Sequence, residues 1–251
     1  MNLENKYKMK ILIAILSHHT SRDNLNACLD TWVKTCDSQE LVILGDSTMP
    51  DSISSIEVYK PLENETYLDL PEKIKNSFNY LLKRDWDYIV KIDDDTYLNV
   101  DKLSDYLQYN KIDQLYAGQG IHFPGTKHPC YLSNIGDKLP PDEFTYYFAQ
   151  GGCYVMSRTA LEASIDMMRT DSYHNAEDVM VGVAMQKSGI SLEDRPDLFN
   201  SGYVGRGWHN MGTRKNTTEE HISLIKSCYI VTHKINFRQI YNIHINTFKN
   251  D

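Results

Sequence analysis

The amino-acid sequence predicts an α/β fold whose mostly parallel central sheet is flanked by helices. Residues Lys10 to Ser17 form a continuous apolar run of strand length, which is typical of a parallel strand covered on both faces. Further segments of strand length then alternate with segments of helical periodicity, which is the order of βαβ units. Because such sheets bind ligands at the carboxyl ends of their strands, residues that follow a strand are the candidates for function.

The alternation is regular over the first half of the chain. Besides the first strand, the predicted strands are Leu41 to Leu44, Ile56 to Tyr59 and Asp87 to Ile92. The predicted helices are Ser21 to Thr35 with Ser21 as N-cap, Glu72 to Lys83 opened by Pro71, and Asp101 to Tyr109.

The second half is less regular. Its predicted strands are Leu115 to Gln119 and Cys228 to Thr232, and its predicted helices are Ser157 to Met168, Ala176 to Lys187 and a last one reaching about Thr247. Two stretches rich in Gly and Pro, Gly120 to Pro141 and Arg195 to Thr213, predict loops. The apolar segment Tyr146 to Met156 contains Gly151-Gly152, which indicates a β-bulge or a place where another group approaches the backbone closely.

Composition limits the function classes. The chain has 251 residues with 26 basic and 34 acidic side chains, a net charge of −8 at pH 7. Its 11% aromatic residues exclude disorder of the whole chain, and the acidic balance argues against a nucleic-acid binder. The apolar run Ile11 to Leu16 is too short for a membrane span or a signal-peptide core, and the five cysteines form no C-x-x-C pair. We therefore expect a soluble protein of the cytoplasm without zinc.

An acidic triplet, Asp93-Asp94-Asp95, directly follows the apolar strand that ends at Ile92. Three adjacent carboxylates repel one another, so the triplet predicts a cation at the end of the strand. Side chains alternate along extended backbone, so Asp93 and Asp95 should point one way and Asp94 the other. Oxygen ligands of this kind suit Mg²⁺ or Mn²⁺ holding a diphosphate, and the alternative is a solvated acidic turn.

Three further features are ambiguous on their own. Glu177-Asp178 begins a predicted helix, where carboxylates are favoured by the helix dipole, but Asp178 could equally be a base near the sheet edge. His233 ends the last predicted strand and is either an ordinary histidine or a nitrogen ligand that completes a Mn²⁺ site. His18-His19 follows the first strand and could face a ligand or lie in a loop.

Taken together, the motifs resemble those of the inverting glycosyltransferases of family 31, which include β1,3-galactosyltransferases, core 1 galactosyltransferase and the Fringe proteins. The matching segments, in chain order, are TWVKTC (31–36), YLDLPEKI (67–74), KIDDDTYLNVDKL (91–103), QGGCYVMSRTAL (150–161) and EDVMVG (177–182). Their order and spacing are far more specific than any one of them. The resemblance spans about Lys10 to His233.

The resemblance implies a GT-A fold with a Rossmann-like sheet, forming a single catalytic domain over residues 1–251. Residues 9–119 would bind the donor, and residues 120–251 would bind the acceptor and carry catalysis. The implied metal ligands are Asp93, Asp95 and His233, and the implied catalytic base is Asp178. The implied donor-binding residues are Ser17, His18, Arg22, Asp46, Lys73, Asp93, Asp94, Gly151, Gly152, Glu177 and Trp208.

The implied activity is Mn²⁺- or Mg²⁺-dependent transfer of a hexose, most often galactose, from a UDP-sugar. The acceptor would be a hydroxyl of a glycan or glycoprotein, and inversion at the anomeric carbon would form a β-linkage. Clustered aspartates also occur in metal-dependent phosphohydrolases or nucleases, and a non-catalytic relative could bind a glycan. These two alternatives stay open at the level of sequence.

Overall fold

The structure is a computed structural model that describes residues 9–123, 146–170, 176–200, 203–204, 207–208, 229–233 and 235–248. Most of the predicted loops at Gly120 to Pro141 and Arg195 to Thr213 lies outside the described residues, as do Cys130 and Cys228. Cys28, Cys36 and Cys153 are free thiols. No helix within the described ranges is long and apolar enough to cross a membrane.

One eight-stranded sheet forms the centre of the fold. Its strands are β1 (Ile11–Leu16), β2 (Glu40–Leu44), β3 (Ser52–Ile53), β4 (Ile56–Tyr59), β5 (Tyr88–Asp93), β7 (Tyr116–Phe123), β8 (Tyr146–Ser157) and β9 (Glu193–Asp194). They lie in the order β3-β4-β2-β1-β5-β8-β7-β9. The pairs β4-β2, β2-β1, β1-β5 and β7-β9 are parallel, and β3-β4, β5-β8 and β8-β7 are antiparallel. The predicted fold class, a mostly parallel sheet flanked by helices, is confirmed.

Short strands complete the structure beside the carboxyl edge of this sheet. β6 (Tyr97–Leu98), β13 (Val231–Thr232) and β10 (Phe199–Asn200) form a three-stranded sheet, and β11 (Tyr203–Val204) pairs with β12 (Gly207–Trp208). Four of these two-residue strands lie outside the first half of the chain, and β10, β11 and β12 fall inside the predicted loop from Arg195. Two residues are too few to show an alternating pattern, so strands this short have no recognisable sequence signal.

Helices cover both faces of the large sheet. They are α1 (Arg22–Asp30), α2 (Leu70–Leu81), α3 (Val100–Tyr109), α4 (Arg158–Ser164), α5 (Glu177–Lys187) and α6 (Phe237–Phe248). One core contains Ile11, Ile13 and Ile15 of β1 with residues of α1, α3 and α6. The other contains Leu12 and Ala14 with residues of α2, α4 and α5. Alternate side chains of β1 thus enter opposite cores, which explains why its sequence is apolar without interruption.

The predicted helix from Ser21 to Thr35 is wrong in two respects. The α-helix ends at Asp30, and Trp32–Thr35 form a separate 3₁₀ turn beyond Thr31, whose hydroxyl donates to the carbonyl of Ala27. Ser21 makes no side-chain hydrogen bond that caps α1, because its Oγ donates to Oδ2 of Asp94 at 2.6 Å. Tertiary contacts have replaced the local ones that the pattern suggested.

Other element boundaries also differ from the prediction. Helix α2 begins and ends two residues before the predicted helix Glu72 to Lys83, and within the described residues the last strand is Val231–Thr232, shorter than the predicted Cys228 to Thr232. β7 continues to Phe123, through residues predicted as loop, because pairing with β8 resumes after a register shift between Gly118 and Gly120. The predicted helix from Ser157 to Met168 is α-helical only to Ser164 and continues as a 3₁₀ turn to Met167. The extension of β7 therefore follows from its pairing with β8, which lies later in the chain.

Helix α5 packs directly against strand β8. A Cβ atom at Gly182 would lie 2.2 Å from Cβ of Phe148 and 2.9 Å from its Cα, so only glycine allows this approach. The contact brings the first turn of α5, with Glu177 and Asp178, beside the glycines of β8.

Candidate active site

A cleft of about 860 Å³ opens at the carboxyl ends of β1 and β5. The segment Gln150 to Gly152 of β8 and the first turn of α5 form its far side. The antiparallel pairing of β5 with β8 places Ile92 opposite Cys153, so the glycines lie beside the acidic triplet. The cleft is therefore where the sheet topology predicts a ligand.

Asp93, Asp95 and His233 form a cluster in this cleft that could hold a metal ion. Nε2 of His233 lies 2.9 Å from Oδ1 of Asp95 and 3.5 Å from Oδ2 of Asp93. The imidazole is almost fully buried, and within the described part of the chain its Nδ1 makes no hydrogen bond. Burial opposes protonation of His233, but the two carboxylates outweigh it and raise its pKa.

The chemistry of this donor set fits a divalent cation. Two carboxylates and one imidazole converge from different elements, β5 and the end of β13, and the carboxylates are about one-quarter exposed toward the cleft. Carboxylate oxygen with a single imidazole nitrogen suits Mn²⁺ better than Mg²⁺, which prefers oxygen throughout. A cation between the three groups would also give a partner to the buried Nε2 of His233, the ring nitrogen that faces the two carboxylates.

Asp94 points away from the cluster, as the alternation along the strand predicts. Its Oδ2 accepts hydrogen bonds of 2.6 Å from the hydroxyls of Ser17 and Ser21, and the residue is buried. Burial raises the pKa of Asp94 to about 7 against these hydrogen bonds, and the charges of Asp93 and Asp95 add to the rise. Asp94 thus ties the end of β5 to the segment that follows β1.

Residues of α1 and the following turn hold the main chain of the acidic triplet. The Cys28 thiol donates to the carbonyl of Asp94 at 3.2 Å, and the Trp32 indole donates to the carbonyl of Thr96 at 3.2 Å. Both side chains are fully buried. Trp32, the tryptophan of the TWVKTC segment, therefore helps to fix the main chain directly after the acidic triplet.

Lys91 is a buried cation that the sequence analysis did not single out. Its ammonium donates to Oδ1 of Asp93 at 2.6 Å, to Oε1 of Glu177 at 2.9 Å and to the carbonyl of Gly151. Burial opposes ionisation of Asp93, but Lys91 and His233 hold its pKa well below the usual range. The available signal was a lysine inside the otherwise apolar strand segment YIVKI.

Asp178 lies in the first turn of α5 and is also buried. Its Oδ2 accepts the amide of Gly151 at 3.0 Å and its Oδ1 accepts the amide of Val179 at 2.9 Å. Burial and the neighbouring Glu177 raise the pKa of Asp178 to about 7, although Lys91 and the two amides act in the opposite direction. A carboxylate with a pKa near neutrality is suited to accept a proton.

Gly151 and Gly152 of β8 leave room for side chains that line the cleft. A Cβ at Gly152 would lie 2.1 Å from Nδ1 of His233, and a Cβ at Gly151 would lie 2.9 Å from Oε1 of Glu177. The close approach predicted from these glycines is therefore present, and the approaching groups are protein side chains.

The structure brings together most of the sequence-predicted residues. Those lining the cleft are Ser17, His18, Lys73, Asp93, Asp94, Asp95, Gly151, Gly152, Glu177, Asp178 and His233. Lys73 is buried, pairs with Glu65 at 2.7 Å and donates to the carbonyl of Ser17. Arg22 is exposed at the start of α1 and is not among the described lining residues. Trp208 lies in β12, and its side chain is outside the described part of the structure.

Asp46 is not among the described residues that line the cleft, and it forms a second group with His18 and His19 that could hold a metal ion. Its Oδ1 accepts from the amide and hydroxyl of Thr48, and its Oδ2 accepts the amide of His19 at 2.6 Å. These hydrogen bonds outweigh burial and hold the pKa of Asp46 well below the usual range. Because both of its oxygens are engaged, this group is a poorer cation site than the cluster around His233.

A family model described as galactosyltransferase matches residues 62–196, which is more than half of the chain. The chain belongs to the galactosyltransferase family. The matched range contains the acidic triplet, Gly151-Gly152 and Asp178, whereas His233 lies beyond it. Membership confirms the predicted resemblance and the predicted enzyme class, a hexosyltransferase.

The fold of this galactosyltransferase-family chain is similar to that of the galactosyltransferase LgtC, solved in complex with donor and acceptor sugar analogs. The two share 12% sequence identity with a TM-score of 0.52, over 94% of this chain and 95% of the other. The likeness supports the predicted GT-A fold.

We expect Gly152→Ala to displace His233 and weaken Mn²⁺ binding by about 10- to 100-fold, the range typical when the support of a metal ligand is lost. The added Cβ would overlap the imidazole ring, which is enclosed and cannot move aside freely. Isothermal titration with Mn²⁺ measures the effect.

Gly120→Ala is the matched control for Gly152→Ala, since its Cβ would also overlap neighbouring side chains, those of Asp194 and Tyr147 at 2.8 Å, but not His233. It should lower the thermal unfolding midpoint and leave the Mn²⁺ affinity unchanged. Equal Mn²⁺ affinity in Gly152→Ala and the wild type would contradict the assignment of His233 to the cation site.

Proposed function

We propose that this protein transfers galactose from UDP-galactose to a hydroxyl of a glycan or glycoprotein, with inversion, so that a β-linkage forms. The observation that carries the proposal is that a carboxylate-imidazole cluster and a buried carboxylate with a pKa near 7 share one cleft. A cation held by the cluster would stabilise an anionic leaving group, and the buried carboxylate of Asp178 could accept the proton of an attacking hydroxyl. Both are needed for transfer to an acceptor.

Asp93, Asp95 and His233 would hold the divalent cation at the donor side of the cleft. When bound, such a cation offsets the negative charge of a diphosphate and of the leaving UDP. Ser17, His18 and Lys73 line the same side, and the buried ammonium of Lys73 is a second positive charge. Burial lowers the pKa of Lys73 relative to an exposed lysine, while Glu65 opposes the change.

Asp178 would act as the base. As the acceptor oxygen attacks the anomeric carbon and the bond from that carbon to the diphosphate breaks, the hydroxyl proton passes to a carboxylate oxygen of Asp178. The amides of Gly151 and Val179 each occupy one oxygen and hold the carboxylate in place, leaving further lone pairs for the proton. Fixing both substrates in one cleft supplies much of the remaining acceleration.

A first test measures UDP release across a panel of UDP-hexoses, with and without Mn²⁺ and with a panel of aryl glycosides as acceptors. We expect release to require both Mn²⁺ and an acceptor and to be fastest with UDP-galactose. Phosphate release without an acceptor would favour a phosphohydrolase, and no release under any condition would favour a non-catalytic relative. Either result would overturn the proposal.

We expect Asp178→Asn to lower kcat by about 10²- to 10⁴-fold, since an amide cannot accept the hydroxyl proton. Binding of UDP and Mn²⁺ should persist, because Asp178 is not part of the cation cluster. Asp101→Asn is the matched control, because Asp101 holds the same position in the first turn of α3 but is exposed. Turnover retained in Asp178→Asn would remove Asp178 as the base.

The pH dependence of kcat/KM should follow the ionisation of Asp178. The base must be ionised, and burial with Glu177 raises its pKa to about 7, so activity is lost as pH falls through 7. Below that value, kcat/KM should fall about tenfold per pH unit. A profile that is flat between about pH 5.5 and 8 would show that a group with a lower pKa takes the proton.

A further inference from the structure

We propose that Lys91 is a positioning residue that couples the cation-binding carboxylate of Asp93 to the first turn of helix α5, and so sets where Asp178 stands relative to the donor. The inference rests on the proposed function, in which Asp93 serves the donor and Asp178 serves the acceptor. It assigns a task to a cleft residue whose three donor protons are all taken by acceptors of the protein itself.

The contacts of Lys91 join three elements at one atom. Its Nζ donates to Asp93 of β5, to Glu177 of α5 and to the carbonyl of Gly151 in β8. An ammonium has three donor protons, so these acceptors use its full capacity. Nζ also lies 5.6 Å from the ring centre of Tyr154, whose hydroxyl donates to Oε2 of Glu177 at 2.9 Å.

The sheet itself does not need a charge at this position. Lys91 is 1% exposed, and its strand neighbours Val90 and Ile92 are apolar and fully buried. A buried ammonium is unfavourable unless every donor is paired, and apolar side chains of similar volume often replace buried ion pairs without loss of stability. The presence of a buried ammonium at this position therefore points to what it holds in place.

Lys91 acts on the metal cluster through the orientation of Asp93. The ammonium occupies Oδ1 of Asp93, while Oδ2 of the same carboxylate faces Nε2 of His233 at 3.5 Å. Without Lys91 the carboxylate could rotate, and the oxygen offered to a cation would no longer be defined.

Lys91 acts on Asp178 from two sides. It binds the carbonyl of Gly151, and the amide of the same residue donates to Oδ2 of Asp178. It also binds Glu177, which immediately precedes Asp178 in the first turn of α5. One ammonium thus fixes both the backbone that holds the base and the helix that carries it.

The charged groups around Asp178 allow the positioning role of Lys91 to be separated from its charge by a pH profile. They come from Glu177 on its own helix and Lys91 on β5, and the phenols of Tyr116 on β7 and Tyr154 on β8 also face it. The two phenols stay neutral because burial raises their pKa values. Lys91 and Glu177 act on Asp178 with opposite sign, so removing both leaves the net charge around the base unchanged.

The test is the double variant Lys91→Met/Glu177→Gln in the full chain, compared with the wild type. For a positioning role we expect kcat to fall about 100-fold, the scale of a 1 Å misplacement, while the acid limb of the pH profile stays in place. The Kd for Mn²⁺ should rise about tenfold, as for a lost supporting contact. The single variant Lys91→Met should move the acid limb to higher pH, because Glu177 then faces Asp178 without compensation.

The control is Lys60→Met/Asp51→Asn, which removes another close ion pair, 2.6 Å long, whose aspartate is almost fully exposed. It should leave kcat and Mn²⁺ affinity unchanged. If Lys91 only neutralises buried acids, the Lys91→Met/Glu177→Gln variant will have a kcat and a Kd for Mn²⁺ within threefold of the wild type, and the proposal is overturned.

Failure of the proposed function and failure of the role proposed for Lys91 give different results. Absence of transfer in the wild type rejects the proposed function, and the Mn²⁺ titration still decides the role of Lys91.

If the double variant shows no cooperative thermal unfolding, Lys91→Arg replaces it. Arginine keeps the positive charge, but its donor protons are spread over several nitrogen atoms. A tenfold lower kcat with an unmoved acid limb supports positioning, and an unchanged kcat overturns it.

Discussion

Electrostatic repulsion among five carboxylates is the constraint on which the cleft is built. Asp93, Asp94, Asp95, Glu177 and Asp178 converge at one edge of the sheet. Each is stabilised differently: serine hydroxyls bind Asp94, the Lys91 ammonium binds Asp93 and Glu177, main-chain amides bind Asp178, and His233 faces Asp95. These different neighbours hold the pKa of Asp93 well below that of Asp178, so the carboxylate proposed to bind the cation and the one proposed to accept the proton differ in their ionisation.

The second constraint is steric, and glycine meets it at three positions. Gly182 lets α5 reach β8, Gly151 leaves room for Glu177, and Gly152 leaves room for the ring of His233. At each position a Cβ atom would lie 2.9 Å or less from a neighbouring atom. The carboxylate network therefore depends on backbone segments that approach more closely than side chains would allow, and charge and packing cannot be altered independently here.

Local patterns were reliable where the physical cause was also local. The apolar runs of β1 and β5 follow from burial on both faces, and the opposite directions of Asp93 and Asp94 follow from strand geometry. Local patterns failed where a residue distant in the chain formed the hydrogen bond that the pattern had assigned to a neighbour. Ser21 has the sequence position of an N-cap, yet its hydroxyl binds Asp94, and β7 extends into a predicted loop because β8 pairs with it. His233 was a candidate from its place at the end of a predicted strand, but only the resemblance favoured a metal ligand over an ordinary histidine.

By itself the sequence determined the α/β class, the succession of the main elements and the acidic triplet at the end of β5, since these depend on periodicity and on neighbours along the chain. It also carried the motifs that place the chain in the galactosyltransferase family. Only the tertiary structure decided that His233 meets Asp93 and Asp95, and that Lys91 joins Asp93 to Glu177. Apart from the Lys91–Asp93 ion pair, these contacts join residues 86 or more positions apart, and such proximity is set by the packing of the whole sheet.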